Sequence, residues 1–127
     1  MTDDPTVDAW RRLLAQHAAT TCALDRELGD RHGLSVSEFE VLERLVEAPE
    51  KLRIQELASA IHLSQSATTR VVARLENDGL LCRTMCAADR RGVYACISDA
   101  GRARYDEARP TQRRVLDEHL APTPTTA

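Results

Sequence analysis

The chain has 127 residues, 43% of them hydrophobic but only 3% aromatic, and a formal net charge of −3. That length suits one domain, or one protomer of a small assembly, around a Leu/Val/Ala-rich helical core, and net acidity does not advertise nucleic-acid binding. The acidic N-terminus MTDDPTVDAW lacks the apolar run of a secretory signal and no segment reaches the length of a membrane span, so a cytoplasmic chain is expected, with Cys22, Cys82, Cys86 and Cys96 as thiols.

Residues 7–31 read as a first helix. Trp10, Leu13, Leu14, Leu24 and Leu28 form one stripe, with His17 and Thr21 inside it, and Gly33 ends it. Such a stripe suits packing on another helix or on a second protomer; ordinary intramolecular core accounts for it equally. Over residues 35–47, Ser35 and Glu38 make a capping box, and Leu34 with Phe39 a hydrophobic staple. Phe39, Leu42, Leu45 and Val46 then form the buried face, and Pro49 marks the exit. Residues 53–62 predict a short helix with Ile54, Leu57, Ala58 and Ile61 inward. A tight turn at His62 and Leu63 leads to Ser64, which makes a helix-turn-helix.

The next helix carries the functional signal. The Ser64 hydroxyl is placed to accept from the free N–H groups of the first turn. At helical spacing Ala67, Val71, Val72 and Leu75 fall on one side, and Gln65, Ser66, Thr69, Arg70, Ala73 and Arg74 on the other. Gly79 is expected in the left-handed region that stops the helix. An ordinary solvated face is one reading of the polar side. However, that side carries no acid before Glu76, and its short side chains cluster at the N-terminal end, where a backbone can approach bases and phosphates closely. Charge is also segregated: residues 63–92 hold five arginines against three acids, whereas residues 35–50 hold one arginine against five glutamates.

Two short strands follow. Leu81, Val93, Ala95 and Ile97 predict period-two burial, with Arg83 and Met85 on the same face if the turn centres near Asp89. The tip, residues 87–92, is short and polar. Its adjacent Arg90 and Arg91 fit either a solubilising turn or contact with phosphates and the minor groove. The same register sets Cys82 opposite Cys96 on the face away from the core, within reach of a disulfide; a slip of one residue removes the pairing. Residues 99–120 predict a last helix, capped by Ser98 and interrupted near Pro110. The tail 121–127 is too polar and proline-rich to fold.

The ordered set LSVSEFEVLERL, IQELASAIHLSQSATTRVVARLENDGLL, the DRR tip and ISDAGR resembles the MarR family of bacterial winged-helix transcription factors, over roughly residues 7 to 120. The resemblance implies a mainly α fold with a small β-hairpin wing: a winged helix-turn-helix over 35–98, flanked by dimerisation helices over 7–34 and 99–120. It places Ser64, Gln65, Ser66, Thr69, Arg70 and Arg74 on the DNA-reading helix and Arg90 and Arg91 on the wing. Asp89 would match the wing aspartate that orients an arginine. His62 stands where the family often has glycine, a position histidine tolerates.

The implied function is that of a homodimeric, sequence-specific regulator binding a pseudo-palindromic duplex, a repressor released by a small ligand or an oxidant. The alternative is a truncated winged helix acting through protein contact, because the family usually continues with a further helix. His17 is the candidate for a pocket taking small aromatic ligands, and Cys82, Cys96 and Cys22 are the candidates for redox chemistry. Cys22 lacks the neighbouring tyrosine of the family's peroxide sensors. The Cys82-x₃-Cys86 spacing and the scattered histidines match no common zinc site. No nucleophile–base pair, phosphate loop or cofactor motif points to an enzyme.

Overall fold

A computed structural model describes residues 3–48, 50–85 and 92–120. The element order is α1 (Pro5–His32), α2 (Val36–Glu47), β1 (Leu52–Arg53), α3 (Ile54–Ile61), α4 (Gln65–Asn77), β2 (Leu81–Met85), β3 (Val93–Ile97) and α5 (Asp99–Leu120). This is the expected mainly α architecture with a small hairpin. The sheet is antiparallel in the order β1-β3-β2. Its first strand, two residues long, escaped the sequence reading because it is too short for alternation to register.

The turns follow their predicted chemistry. Gly33 adopts φ 66° and closes α1 as a left-handed cap, its N–H on the Gly29 carbonyl and the Leu34 N–H on the Leu28 carbonyl. Ser35 and Glu38 form the reciprocal capping box: Glu38 N–H donates to Ser35 Oγ at 3.1 Å and Ser35 N–H to Glu38 Oε1 at 2.9 Å. His62 takes a left-handed φ of 60°, so the helix-turn-helix turns where a glycine would be comfortable. Gly79 does the same at φ 76° after α4.

The core joins the inner faces of α1, α2, α3, α4 and α5 to Leu81 and Ala95 of the sheet. Phe39 of α2 stacks on Tyr105 of α5 with ring centroids 5.3 Å apart. Polar ties lock the long helices together. His32 of α1 pairs with Thr111 at 2.7 Å, and Arg104 donates to the His32 carbonyl at 3.0 Å. Glu43 of α2 accepts from Tyr105 at 2.8 Å and Arg113 at 2.7 Å. Burial, reinforced by Glu43, lifts the Tyr105 phenol above its ordinary pKa.

Three sequence expectations need correction. The α1 stripe is not uniform: Leu24 and Leu28 are buried, but Trp10 and Leu13 are each 57% exposed and Leu14 46%. Only the C-terminal half of α1 has the remaining elements to lie on. Helix α5 is not interrupted; it runs continuously through Pro110. Pro110 sits on the exposed face, as does Asp106 four residues back, where water can satisfy the carbonyl that proline leaves unpaired. Finally, Arg83 and Met85 share a sheet face with Leu81 but are exposed, because the hairpin outruns the helices beneath it. The tail 121–127 lies outside the described residues.

Gly101 is the least replaceable joint. A Cβ there would overlap the Leu80 carbonyl and lie 2.9 Å from Ile97 Cγ1, so α5 can seat on the hairpin base only without a side chain. Gly101→Ala should therefore destabilise the fold by about 1–3 kcal/mol or more, as overpacking does. Thermal unfolding checks this, and an unchanged Tm would contradict the close seat.

Candidate nucleic-acid interface

Helix α4 is fixed from three directions. Thr68, Val72 and Leu75 are fully buried, each apolar one contributing about 1.5–3 kcal/mol by leaving water. The sequence reading omitted Thr68, whose hydroxyl tolerates burial by donating to the Ser64 carbonyl at 2.9 Å. It is the centre of the inner face; Ala67 and Val71 flank it half-buried, and Ala73, expected outside, is also half-buried. At the front, Ser64 Oγ accepts from Ala67 N–H at 3.1 Å, the predicted cap. At the rear, Glu76 accepts from Arg83 of β2 through the Nε at 2.9 Å and the backbone N–H at 3.3 Å. The Arg83 guanidinium holds the Glu76 carboxyl below its usual range. This strut ties the reading helix to the wing.

What remains outward is the predicted set. Gln65, Ser66, Thr69, Arg70 and Arg74 are all exposed. Thr69 donates its hydroxyl proton to the Gln65 carbonyl at 2.9 Å, so it offers acceptor lone pairs and a methyl to a partner. These suit amino groups of adenine or cytosine and the methyl of thymine. Ser64 is exposed beside Ser66, their oxygens 3.3 Å apart. Among the described residues neither Arg70 nor Arg74 is engaged in an ion pair. Arg83, counted in the basic excess, is engaged by Glu76. Asp89, Arg90 and Arg91 lie outside the described residues, as does Cys86.

The structure adds basic groups that the sequence reading passed over. Lys51 lies 4.5 Å over the Tyr94 ring and Arg53 5.4 Å from its centroid; Arg53 Nε also donates to the Tyr94 hydroxyl at 3.0 Å. Arg53, Gln55, Gln65, Thr69, Arg83 and Gly92 line a groove of about 430 Å³ between the helix-turn-helix and the hairpin. The KLR triplet before the third helix was the available signal, but only the β1–β3 pairing brings it beside α4.

His17 is exposed on α1. With Thr21 and Asp25 it faces Glu40 of α2 and His62 of the turn across a cleft of about 560 Å³. Burial, aided by the neighbouring Glu43 carboxylate, raises the Glu40 pKa. Cys22 is exposed on the same helix, and Cys82 and Cys96 face each other across the hairpin; all three are free thiols. Among the described residues no helix is long and apolar enough to cross a membrane.

A buried-backed helix with a polar outer face, entered from a left-handed turn and strutted to a hairpin, defines a winged helix-turn-helix protein. Residues 34–93 match the sequence profile of the MarR family. It is 38% identical over 80 residues to the uncharacterised HTH-type transcriptional regulator YkoM of Bacillus subtilis, covering 62% of this chain and 51% of that protein. It is 32% identical over 91 residues to the HTH-type transcriptional regulator MhqR of the same organism, covering 72% and 62%. The chain thus spans between half and two thirds of these relatives' lengths. The crystal structure of Sco3205, a MarR family regulator from Streptomyces coelicolor in complex with DNA, superposes with a TM-score of 0.87 at 27% identity, covering 97% of this chain and 82% of that one.

Glu40 gives a pH-dependent prediction. Its pKa is raised on folding from 4.5, so the folded chain binds more protons than the unfolded one between the two values. Its ionisation therefore costs stability as pH rises through that window. Glu40→Gln should raise the Tm at pH 7, with the gain vanishing below pH 4.5. An equal gain at both pH values would contradict the assignment.

Proposed function

We propose that the chain is a homodimeric, sequence-specific DNA-binding transcriptional regulator. The observation that carries this reading is the outer face of α4: five exposed polar and basic side chains on a helix anchored along its back and at both ends. Gln65, Ser66 and Thr69 read base edges in the major groove. Arg70 and Arg74 take phosphates, with Lys51 and Arg53 at the rim. Ser64 is first a cap, and beside Ser66 it stands where a phosphate would meet the first turn. The family resemblance assigns Arg90 and Arg91 to the neighbouring backbone and Asp89 to orienting an arginine. Sco3205, similar across nearly the whole chain, was crystallised with DNA, which supports carrying that partner over.

One protomer reads a half-site, so a pseudo-palindrome with half-site centres about 10 base pairs apart calls for two. Helices α1 and α5 supply the second contact. Trp10, Leu13, Leu14 and Leu120 are exposed, and Gln16 donates to the His119 carbonyl at 3.5 Å, which brings these apolar groups to one end of the helix pair. A dimer lying over a promoter blocks transcription, so the output is repression in a cytoplasmic, non-enzymatic protein. The cleft bearing His17 takes the releasing ligand. Its charged lining is Asp25 and Glu40 with two histidines, which favours a neutral or cationic aromatic compound over an aromatic acid.

Duplex selection followed by binding titrations tests this. Affinity should fall with salt at a slope of about −0.9 per phosphate neutralised. Arg70→Ala or Arg74→Ala should weaken binding to all sequences and flatten that slope by about 1, whereas Ser66→Ala or Thr69→Ala should change the preferred sequence. An aromatic amine should release the duplex at lower concentration than the matching acid. A folded chain that retards no duplex at low salt would overturn the reading in favour of protein contact, and the reverse ligand order would overturn the assignment of the cleft.

A further inference from the structure

The base of the wing carries two thiols that the DNA-reading machinery does not use. Cys82 and Cys96 are directly paired across the hairpin. The neighbouring pairs Leu81 with Ile97 and Arg83 with Ala95 put their side chains on the opposite face, so both thiols stand on the side away from the core. The Ser98 N–H donates to the Leu80 carbonyl at 3.2 Å. Because hydrogen-bonded pairs alternate along an antiparallel ladder, the cysteines occupy a hydrogen-bonded pair, with Cα atoms about 5.5 Å apart. That falls inside the 4.4–6.8 Å range, roughly at its centre, in which a disulfide closes without moving the chain far. The Cys96 thiol already points across, with Sγ 3.8 Å from the Cys82 carbonyl oxygen. Cys82 is exposed and Cys96 half-buried, and both are free.

We propose that Cys82 and Cys96 are a reversible redox modification site, oxidised by a peroxide to an intramolecular disulfide that resets the wing against α4. The Cys82 thiolate attacks one peroxide oxygen; an S–O bond forms, the O–O bond breaks, and the departing oxygen leaves as water after protonation. Cys96, losing its proton, then attacks the Cys82 sulfur, forming the S–S bond and expelling the second oxygen as water. Two thiols and one hydrogen peroxide become one disulfide and two waters, a two-electron oxidation that a dithiol reductant reverses. The link to α4 is the next residue: Arg83 follows Cys82 and grips Glu76 at 2.8 Å. Closing the bond leaves the Cα spacing nearly unchanged but brings the two Cβ atoms from about 4.5–5.5 Å in an open cross-strand pair to about 3.8 Å, which twists β2 beside Arg83, and α4 loses its rear strut. The effect on DNA rests on the reading of the preceding subsection; the disulfide itself does not.

The three hairpin cysteines fall on three different tryptic peptides: 75–83, 84–90 and 92–102. Reduced full-length chain is treated with hydrogen peroxide, digested and mapped. A link between 75–83 and 92–102 is expected, with the chain mass lower by two hydrogens and changed deuterium uptake over residues 81–97. DNA affinity should fall by about tenfold, and dithiothreitol should restore it. Cys82→Ser and Cys96→Ser should abolish the response, while Cys86→Ser should keep it. Failure of that link to form in folded protein, or its formation with unchanged uptake over the hairpin, overturns the proposal. If the reduced chain binds no duplex, the regulator reading fails, and the link and the uptake still decide the redox site.

Discussion

Everything at the reading face depends on how α4 is held. A helix of thirteen residues is marginal on its own in water, so its outer face is useful only because its inner face is committed. Thr68, Val72 and Leu75 supply that commitment, and Thr68 can do so because its hydroxyl is satisfied within the helix. The Ser64 cap fixes where the helix begins, and the Glu76–Arg83 pair fixes how its end sits against the wing. Exposed and screened by solvent, that pair contributes little to stability. Its value is orientation: it sets the angle between α4 and the hairpin, the two surfaces proposed to meet one duplex.

The long helices serve a different purpose, and the polar ties show how the two parts communicate. Glu43 lies on α2 inside the helix-turn-helix unit, yet its partners Tyr105 and Arg113 lie on α5. His32, Thr111 and Arg104 likewise join the end of α1 to the middle of α5. The helix pair is therefore tied to α2 by directional bonds as well as by the Phe39–Tyr105 stack. The cleft beside His17 lies at this junction, between α1 and the turn that begins α4. An occupant there would press on the same joint that a change of dimer geometry would move.

Much of the fold was legible because its punctuation is local. The Ser35–Glu38 box, the Ser64 cap, the left-handed His62 and the glycines at 33 and 79 each act within a few residues, and the structure repeats them. The hairpin register is the one that alternation gives when the turn is centred near Asp89, and with it comes the Cys82–Cys96 pairing. What sequence could not supply was long-range. Nothing local says that the α1 stripe loses its cover halfway, or that Pro110 is tolerated on the outer face of α5. Lys51 and Arg53 are brought beside Gln65 and Thr69 only by a two-residue strand, and Gly101 matters only because Leu80, far from it in sequence, passes close by. Binary patterning also misjudged Thr68, since a hydroxyl with its own partner counts as apolar once it is buried.

The central claim is that the outer face of α4 lies against base edges. Its most direct test is photo-cross-linking of duplex DNA from a reactive side chain placed at position 66 or 69, compared with one placed at the exposed Asp106 of α5. Cross-links from the α4 positions to bases, on two segments about one helical turn apart, with none from α5, are the predicted result. Cross-links from α5 alone, or none from α4 in a folded chain that retards the same duplex, would contradict the account.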